Sequence, residues 1–274
     1  KGNKPMEVAV QTYWESTQQT AVVTGAAHPA GIGFGIAEAL ASCGMDVVIM
    51  DLPSTPLGES SAKLQENYGV RVLPVPIDIT SDQDVEKAVE QIRRFTPTVH
   101  ALVNNAGIMP AGARLGEMDE GTWSKVLDIN LGGPFKMIRK LLPMMQRGSS
   151  IVNIASRAGK RPSPGYSAYS VSKAALIMLT KCFAVEYAAE GIRANAICPG
   201  QIYTELNKAR FEREAAEQGI SLEARVARMV ETIPYGRMGA PEDVGHLVAF
   251  LVSPESEYIT GQAFNICGGQ LTEL

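Results

Sequence analysis

The sequence predicts an α/β fold, a single doubly wound domain built on a parallel sheet of about seven strands with helices on both faces. Short apolar runs alternate with longer segments of helical periodicity from residue 20 to the C-terminus, the pattern of βαβ units. Right-handed crossovers then wind the helices onto both faces of one sheet. No internal repeat, low-complexity tract or Pro/Gly-rich linker divides the chain, and 274 residues with 45% hydrophobic content suffice for one large core.

The elements follow in order. TAVVT at 20–24 is the first strand, and a helix over 31–43 follows a glycine-rich turn. DVVIM at 46–50 forms the second strand and 57–68 the second helix. RVLPVP at 71–76 and the periodic segment 81–94 repeat the unit, as do VHALV at 99–103 and a long helix over 121–145. SSIVNI at 149–154, a helix over 167–189 and GIRANAIC at 192–198 continue it, and the helix 241–252 and QAFNI at 262–266 close it. Residues 205–233 break the rhythm. They read as two amphipathic helices split at Gly219–Ile220, with Phe211, Leu222, Val226 and Met229 on the buried faces. An insertion after a late strand sits beyond the carboxyl ends of the sheet, where ligands bind, so 205–233 is expected to be a substrate lid. Its five basic and six acidic residues from Glu205 to Glu231 give no support for an anion-specific pocket. Residues 1–19 are polar and start without Met; they read as an N-terminal extension, in part an expression remnant, to one domain over 20–274.

Composition excludes several function classes. Lys plus Arg total 25 against 29 Asp plus Glu, a net charge of −4, so no basic surplus supports nucleic-acid binding. No uninterrupted apolar run reaches the ~18 residues of a membrane span. Cys43, Cys182, Cys198 and Cys267 form no CxxC pair, and His28, His100 and His246 are scattered, so neither a metal site nor a disulfide framework is expected. No apolar stretch follows Lys1 and Lys4 as in a secretory signal. The expectation is a cytoplasmic protein acting on a small molecule.

The first strand runs into Thr24-Gly25-Ala26-Ala27-His28-Pro29-Ala30-Gly31-Ile32-Gly33. Glycines let the backbone approach a pyrophosphate, which the amides at the next helix's N-terminus hold. Placed after the first strand, Gly25, Gly31, Ile32 and Gly33 point to a dinucleotide. Asp51 ends the second strand, where a carboxylate accepts hydrogen bonds from a ribose and repels a 2′-phosphate, so NAD is expected over NADP. Asp78 and Ile79 follow the third strand and reach toward the adenine. Asn104-Asn105-Ala106-Gly107 follows the fourth, where the amides either fix loops around the cofactor or make ordinary turns.

Tyr169 and Lys173 lie four residues apart and share one helix face. The Lys173 ammonium and a positive nicotinamide ring both favour the phenolate and are expected to lower the Tyr169 pKa. Tyr169 then takes a proton from a substrate hydroxyl or returns it to a carbonyl, while Ser156, after the fifth strand, holds the same oxygen.

From 20 to 270 the chain resembles the short-chain dehydrogenases/reductases, a Rossmann-type family. The resemblance rests on TG…GIG at 24–33, Asp51, Asp78, NNAG at 104–107 and Asn130 in LDINLGGPF. It continues in Ser156, in YSVSK at 169–173 thirteen positions later, in PGQIYT at 199–204 and in TGQAFNICGG at 260–269. It implies an Asn130-Ser156-Tyr169-Lys173 tetrad, Asn130 holding a water that links Lys173 to solvent. Asn105, Tyr169 and Lys173 then touch the cofactor, and Pro199, Ile202 and Thr204 its carboxamide. It also implies a homotetramer joined through 121–145, 167–189 and the last strand. The activity implied is NAD-dependent interconversion of a secondary alcohol and a ketone, the substrate a polyol, sugar or other small hydroxylated compound. A 3-oxoacyl thioester is the next alternative. Two departures stand out. Five residues, AAHPA, separate the first two glycines where three are usual, and Cys267 replaces a common Asp. The longer loop resembles enoyl-thioester reductases, whose Tyr and Lys lie seven apart, a spacing that Tyr166 and Lys173 meet. NNAG and the Ser156–Tyr169 spacing favour the carbonyl type, and an idle NAD-binding sensor or scaffold is a further alternative. Arg114, Arg157, Lys160 and Arg161 lie on loops at the site mouth, where they either receive a substrate carboxylate or are solvated. His28 touches a phosphate or ribose, or is likewise solvated.

Overall fold

The computed structural model describes residues 19–273, apart from the side chain of Leu206; most of the 1–19 extension lies outside the described residues. Seven strands form one parallel sheet in the order β3-β2-β1-β4-β5-β6-β7. They are β1 (Thr20–Thr24), β2 (Asp46–Asp51), β3 (Val72–Pro76), β4 (Ala101–Asn104), β5 (Ser150–Ile154), β6 (Arg193–Pro199) and β7 (Ala263–Ile266). Every strand pairing is parallel, for example Val22 with Val48 and with Leu102.

Alternate residues of β1 and β2 feed two different cores. Ala21, Val23, Val47 and Ile49 pack on one face of the sheet with Phe34, Leu40, Val244 and Val248. Val22, Val48 and Met50 pack on the other with Val85, Ile92, Met137 and Phe183. The strands are apolar on both faces because helices cover both. On the first face lie α1 (Ile32–Ser42), α2 (Leu57–Tyr68) and α9 (Pro241–Val252). The second carries α3 (Asp82–Phe95), α5 (Gly133–Leu141) and α6 (Ser167–Tyr187). Local signals set the ends. Ser81 caps α3 by accepting a hydrogen bond from the Asp84 N–H at 3.2 Å, and α2 stops at Gly69 in the left-handed region, φ 68°.

The chain reverses direction across the sheet between β1 and β4, and the loops after these strands part there. In open parallel sheets this is where ligands bind.

One expected element is not a single helix. Residues 121–145 divide into α4 (Glu120–Leu127), a π turn at Asp128–Gly132, α5 and a 3-10 turn at Leu142–Met144. The Gly133 N–H reaches back five residues to the Asp128 carbonyl. Gly132 and Gly133 favour the helix little, and Pro134 has no N–H to offer the carbonyl four residues before it, that of Asn130. The wider turn swings the Asn130 side chain fully into the interior.

The 205–233 segment folds as α7 (Glu205–Gln218) and α8 (Leu222–Val230), split where the periodicity breaks. Gly219 ends α7 at φ 63°, and Ser221 caps α8 through the Ala224 N–H at 3.1 Å. Phe211 is fully buried with Ile233 and Met238, and Leu222, Val226 and Met229 pack against them. Helix α6 is long and apolar enough to cross a membrane, with a mean hydropathy of 1.3. Here it lies along the sheet, with Leu176, Ile177, Phe183 and Ala184 buried.

Candidate active site

A cleft of about 690 Å³ opens at the carboxyl ends of β1, β4, β5 and β6. Its floor at one end is the turn from β1 to α1. Gly25 takes φ 68°, and a Cβ there would stand 2.8 Å from Ala106 Cα. A Cβ on Gly33 would stand 2.1 Å from the Gly25 carbonyl oxygen. Only glycine admits this close approach of loop and helix. Thr24 and Asn105 tie the turn to the end of β4. The Asn105 N–H donates to Thr24 Oγ1 at 3.0 Å, and the Asn105 amide donates to the Thr24 and Gly25 carbonyls at 3.0 and 2.9 Å. Asn105 therefore braces the loop, one of the two roles its position allowed. Gly31 starts α1 with no capping side chain, so the first-turn amides of Ile32 and Gly33 have no helical acceptor. The longer loop folds outward: the Gly31 N–H closes on the His28 carbonyl at 2.8 Å, and residues 28–30 are exposed. His28 Nδ1 accepts the Ala30 N–H at 3.2 Å, and His28 stays on the cleft rim.

Asp51 lines the same end. Its Oδ2 accepts the Ala27 N–H at 3.0 Å and its Oδ1 the Leu52 N–H at 2.8 Å, which fixes the carboxylate and leaves each oxygen further lone pairs. Among the described residues no Lys or Arg lines this end; the lining cations, Arg157, Lys173 and Arg210, stand with the catalytic group. Asp78 lines the cleft with Ile79, yet its Oδ1 accepts both the N–H and the hydroxyl of Thr80, at 2.9 and 2.7 Å. Those hydrogen bonds hold its carboxyl below the usual range.

The other end brings together Ser156, Tyr169 and Lys173, as their spacing predicts. Tyr169 and Lys173 share the inner face of α6, and Ser156 follows β5. The Lys173 ammonium donates to the Ile154 carbonyl at 2.8 Å and lies 5.8 Å from the Tyr169 ring centre. Ser156 stands near enough to Tyr169 to favour its phenolate, and its Oγ accepts the Ala158 N–H at 3.1 Å. Asn130 reaches the group through the loop after β4. Its Oδ1 accepts the Ile108 N–H at 2.8 Å, and its Nδ2 donates to the Ile108 carbonyl at 2.9 Å and to Ser172 Oγ at 3.1 Å. Gly107 fills the gap between them: a Cβ there would stand 3.1 Å from Asn130 Oδ1 and 3.3 Å from Lys173 Nζ.

The electrostatics correct one expectation. Burial pushes the Tyr169 phenol up rather than down, and Ser156 and the Arg210 charge only oppose this. Burial also lowers Lys173 to about 8. In a poorly solvated site both groups are driven toward their neutral forms.

Pro199, Ile202 and Thr204 line the cleft beyond β6. Thr204 also caps α7 by accepting the Asn207 N–H at 3.3 Å. Of the four basic loop residues, only Arg157 lines the cleft; Arg114 and Arg161 are exposed outside it. Lys160 donates to the Ala263 carbonyl at 2.7 Å, bracing β7. Tyr166 lines the cleft beside Tyr169 but stands at the start of α6. Cys267 is buried outside the cleft; its Sγ accepts the Leu271 N–H at 3.3 Å and closes the C-terminal turn. Gln201, Asn207 and Arg210 also line the cleft, and the sequence did not single them out. Thr204, Asn207 and Arg210 recur every three residues on one face of the lid helix, a signal that mixed charge concealed.

Comparison with known proteins agrees with this arrangement. A family described as "Enoyl-(Acyl carrier protein) reductase" matches residues 25–270. The 3-oxoacyl-[acyl-carrier-protein] reductase FabG of Thermotoga maritima is 36% identical over 250 residues, 90% of this chain and 96% of that protein. Dehydrogenase/reductase SDR family member 4 of Homo sapiens is 34% identical over 246 residues, 89% of this chain and 85% of that one. Among solved structures, the L-sorbose reductase of Gluconobacter frateurii complexed with NADPH and L-sorbose superposes with a TM-score of 0.90. Its identity is 30%, and the match covers 96% of this chain and 100% of that one. The actinorhodin polyketide ketoreductase with NADPH gives 0.87 at 32% identity, covering 93% and 98%. With its parallel sheet, its glycine turn and Ser156, Tyr169 and Lys173 in one cleft, the chain belongs to the short-chain dehydrogenase/reductase family of oxidoreductases.

Proposed function

We propose that this protein is an NAD-dependent oxidoreductase that interconverts a secondary alcohol and a ketone on a small hydroxylated compound such as a polyol or sugar. The convergence of Ser156, Tyr169 and Lys173 beside the glycine turn carries the reading. The cleft suits a dinucleotide: the Gly25–Gly33 approach leaves room for phosphates, the α1 amides face them, and Asp51 meets a ribose. The nicotinamide, when bound, supplies a hydride acceptor or donor. Pro199, Ile202 and Thr204 would hold its carboxamide, and Tyr169 and Lys173 would contact the cofactor beside them. Ser156 positions the substrate oxygen, Tyr169 moves the proton at that oxygen, and Asn130 and Lys173 pass it to solvent. The thirteen-residue spacing of Ser156 and Tyr169, which meet Lys173 in one cleft, favours this carbonyl chemistry over the Tyr166–Lys173 alternative.

NAD rests on Asp51. A 2′-phosphate would meet its carboxylate with no cation at that end of the cleft, although the sorbose reductase and the polyketide ketoreductase were solved with NADPH. The similarity to the 3-oxoacyl reductase supports 3-oxoacyl thioesters as a second substrate class. The test is turnover of polyols, hydroxy acids and 3-hydroxyacyl thioesters with NAD and NADP in parallel. The expected result is reduction of NAD by a secondary alcohol, with kcat/KM at least tenfold below that when NADP replaces it. Preference for NADP would refute the role of Asp51, and no turnover across the panel would refute the reaction.

We propose a homotetramer as well. On α6, Val171, Met178 and Val185 are 46%, 57% and 82% exposed, and Phe135 of α5 is 50% exposed. A stripe of large apolar residues repeating every seven residues, two turns apart on one helix face, is a surface that self-association buries. Met178→Glu is expected to give a smaller species in sedimentation velocity, whereas an intact tetramer would move the interface elsewhere. A cytoplasmic setting, without nucleic-acid or membrane partners, is supported by four unpaired cysteines and the net charge of −4.

A further inference from the structure

Arg210 projects from the lid helix α7 into the cleft on the side of the catalytic group. Its side chain is only 14% exposed. Nη2 donates to Gln201 Oε1 at 2.8 Å, and the buried Nε finds no hydrogen-bond acceptor. The nearest carboxylate, Glu214, lies 3.6 Å from that nitrogen. Glu214 is shared: its Oε1 makes this ion pair with Arg210, while its Oε2 takes both Nη2 and Nε of Arg225, at 2.6 and 2.8 Å. Both guanidiniums rest on Phe211, 4.7 and 5.0 Å from its ring centre, and Phe211 is fully buried. Arg210 is therefore held in place by packing and by a carboxylate that it shares with Arg225.

The surrounding charge is mixed. Glu214 favours the Arg210 charge, whereas Arg225 and Arg157, which lines the same space, repel it. Glu205 also lines the cleft, but its side chain is 55% exposed and lies 3.8 Å from Lys208. A desolvated guanidinium that shares its carboxylate with a second arginine is incompletely neutralised, and a further anion would complete it. A planar guanidinium fork that lines a cleft suits a carboxylate.

We propose that Arg210 receives a carboxylate carried by the substrate, so that the compound reacting at Tyr169 is a hydroxy acid or its keto acid. This rests on the oxidoreductase reading and narrows its substrate class. It also reverses the expectation that the lid's mixed charge offers no anion site: Glu205 pairs with Lys208, and Glu214 is divided between Arg225 and Arg210.

The test is calorimetric binding to the enzyme saturated with NADH. The probes are 3-oxobutanoate, 4-oxopentanoate and 5-oxohexanoate, which vary the distance from carbonyl to carboxylate, each against its methyl ester. The expected result is at least tenfold tighter binding of the acid than the ester at one chain length. Arg210→Gln should reduce that ratio below twofold while leaving the NADH affinity and melting temperature unchanged. Arg114→Gln, at an exposed site outside the cleft, should keep the ratio. Equal affinity of acid and ester at all three lengths, binding of no acid, or a preference that survives Arg210→Gln would overturn the proposal. Failure of the broader reading looks different: NADH would not bind, or no carbonyl compound would oxidise it.

Discussion

Tyr169→Phe lowers kcat by roughly 10²–10⁴-fold, the span that general acid–base catalysis supplies, and leaves the NAD affinity within a few-fold of wild type. The substitution removes one hydroxyl and keeps the ring that α6 packs beneath Lys173. The lost oxygen is the one whose proton affinity Ser156 and the Arg210 charge lower. Lys173→Met is the informative companion. It removes the ammonium held by the Ile154 carbonyl, so kcat and cofactor affinity fall together. Steady-state kinetics with a fluorescence titration of NADH separate the two patterns. Full activity in Tyr169→Phe would transfer the acid–base role to another group, with Tyr166 first in line.

Gly33→Ala weakens cofactor binding by more than tenfold and lowers the melting temperature. The new methyl group would lie 2.1 Å from the Gly25 carbonyl oxygen and 2.5 Å from the Asn105 amide nitrogen. Backbone on one side and a braced side chain on the other cannot absorb that overlap cheaply. The glycine turn must move away from α1, carrying the phosphate cradle with it. Overpacking of this kind costs about 1–3 kcal/mol, which in a domain of this size corresponds to a drop of about 2–12 °C. Gly58→Ala is the control: its Cβ meets nothing within 4 Å, and it stands in helix α2, where Ala is the better helix former. Thermal melts and NADH titration of both variants decide the matter. Undiminished NADH binding by Gly33→Ala would move the cofactor away from this turn.

What could be read along the chain was whatever rests on short spacings. The seven strands show as apolar runs because both faces of the sheet are covered, and each expected run overlaps its strand with ends displaced by at most two residues. The lid's division at Gly219 follows from one residue with a left-handed backbone and the Ser221 cap two positions later. Tyr169 and Lys173 meet because a helix brings every fourth residue to one face. The 121–145 segment was read as one helix because its apolar spacing holds across Asp128–Gly132. The π turn answers to Pro134, which cannot donate, and to the Ile108 backbone, which anchors Asn130 from the far side of the cleft.

The sequence by itself determined the parallel α/β architecture, the glycine turn, Asp51 at a strand end, and the order and spacing of Ser156, Tyr169 and Lys173. Each depends on residues close in the chain, where helix and strand geometry leave few choices. Only the tertiary structure decided the charge states and the division of labour. Burial, a property of everything packed around a group, pushes Tyr169 up and Lys173 down. Lys160 braces β7 and Cys267 the C-terminal turn. Arg210 lines the cleft and shares Glu214 with Arg225, fifteen residues further on. Which partner a charge finds is set by distances in space, and a count of charges along the lid does not contain them.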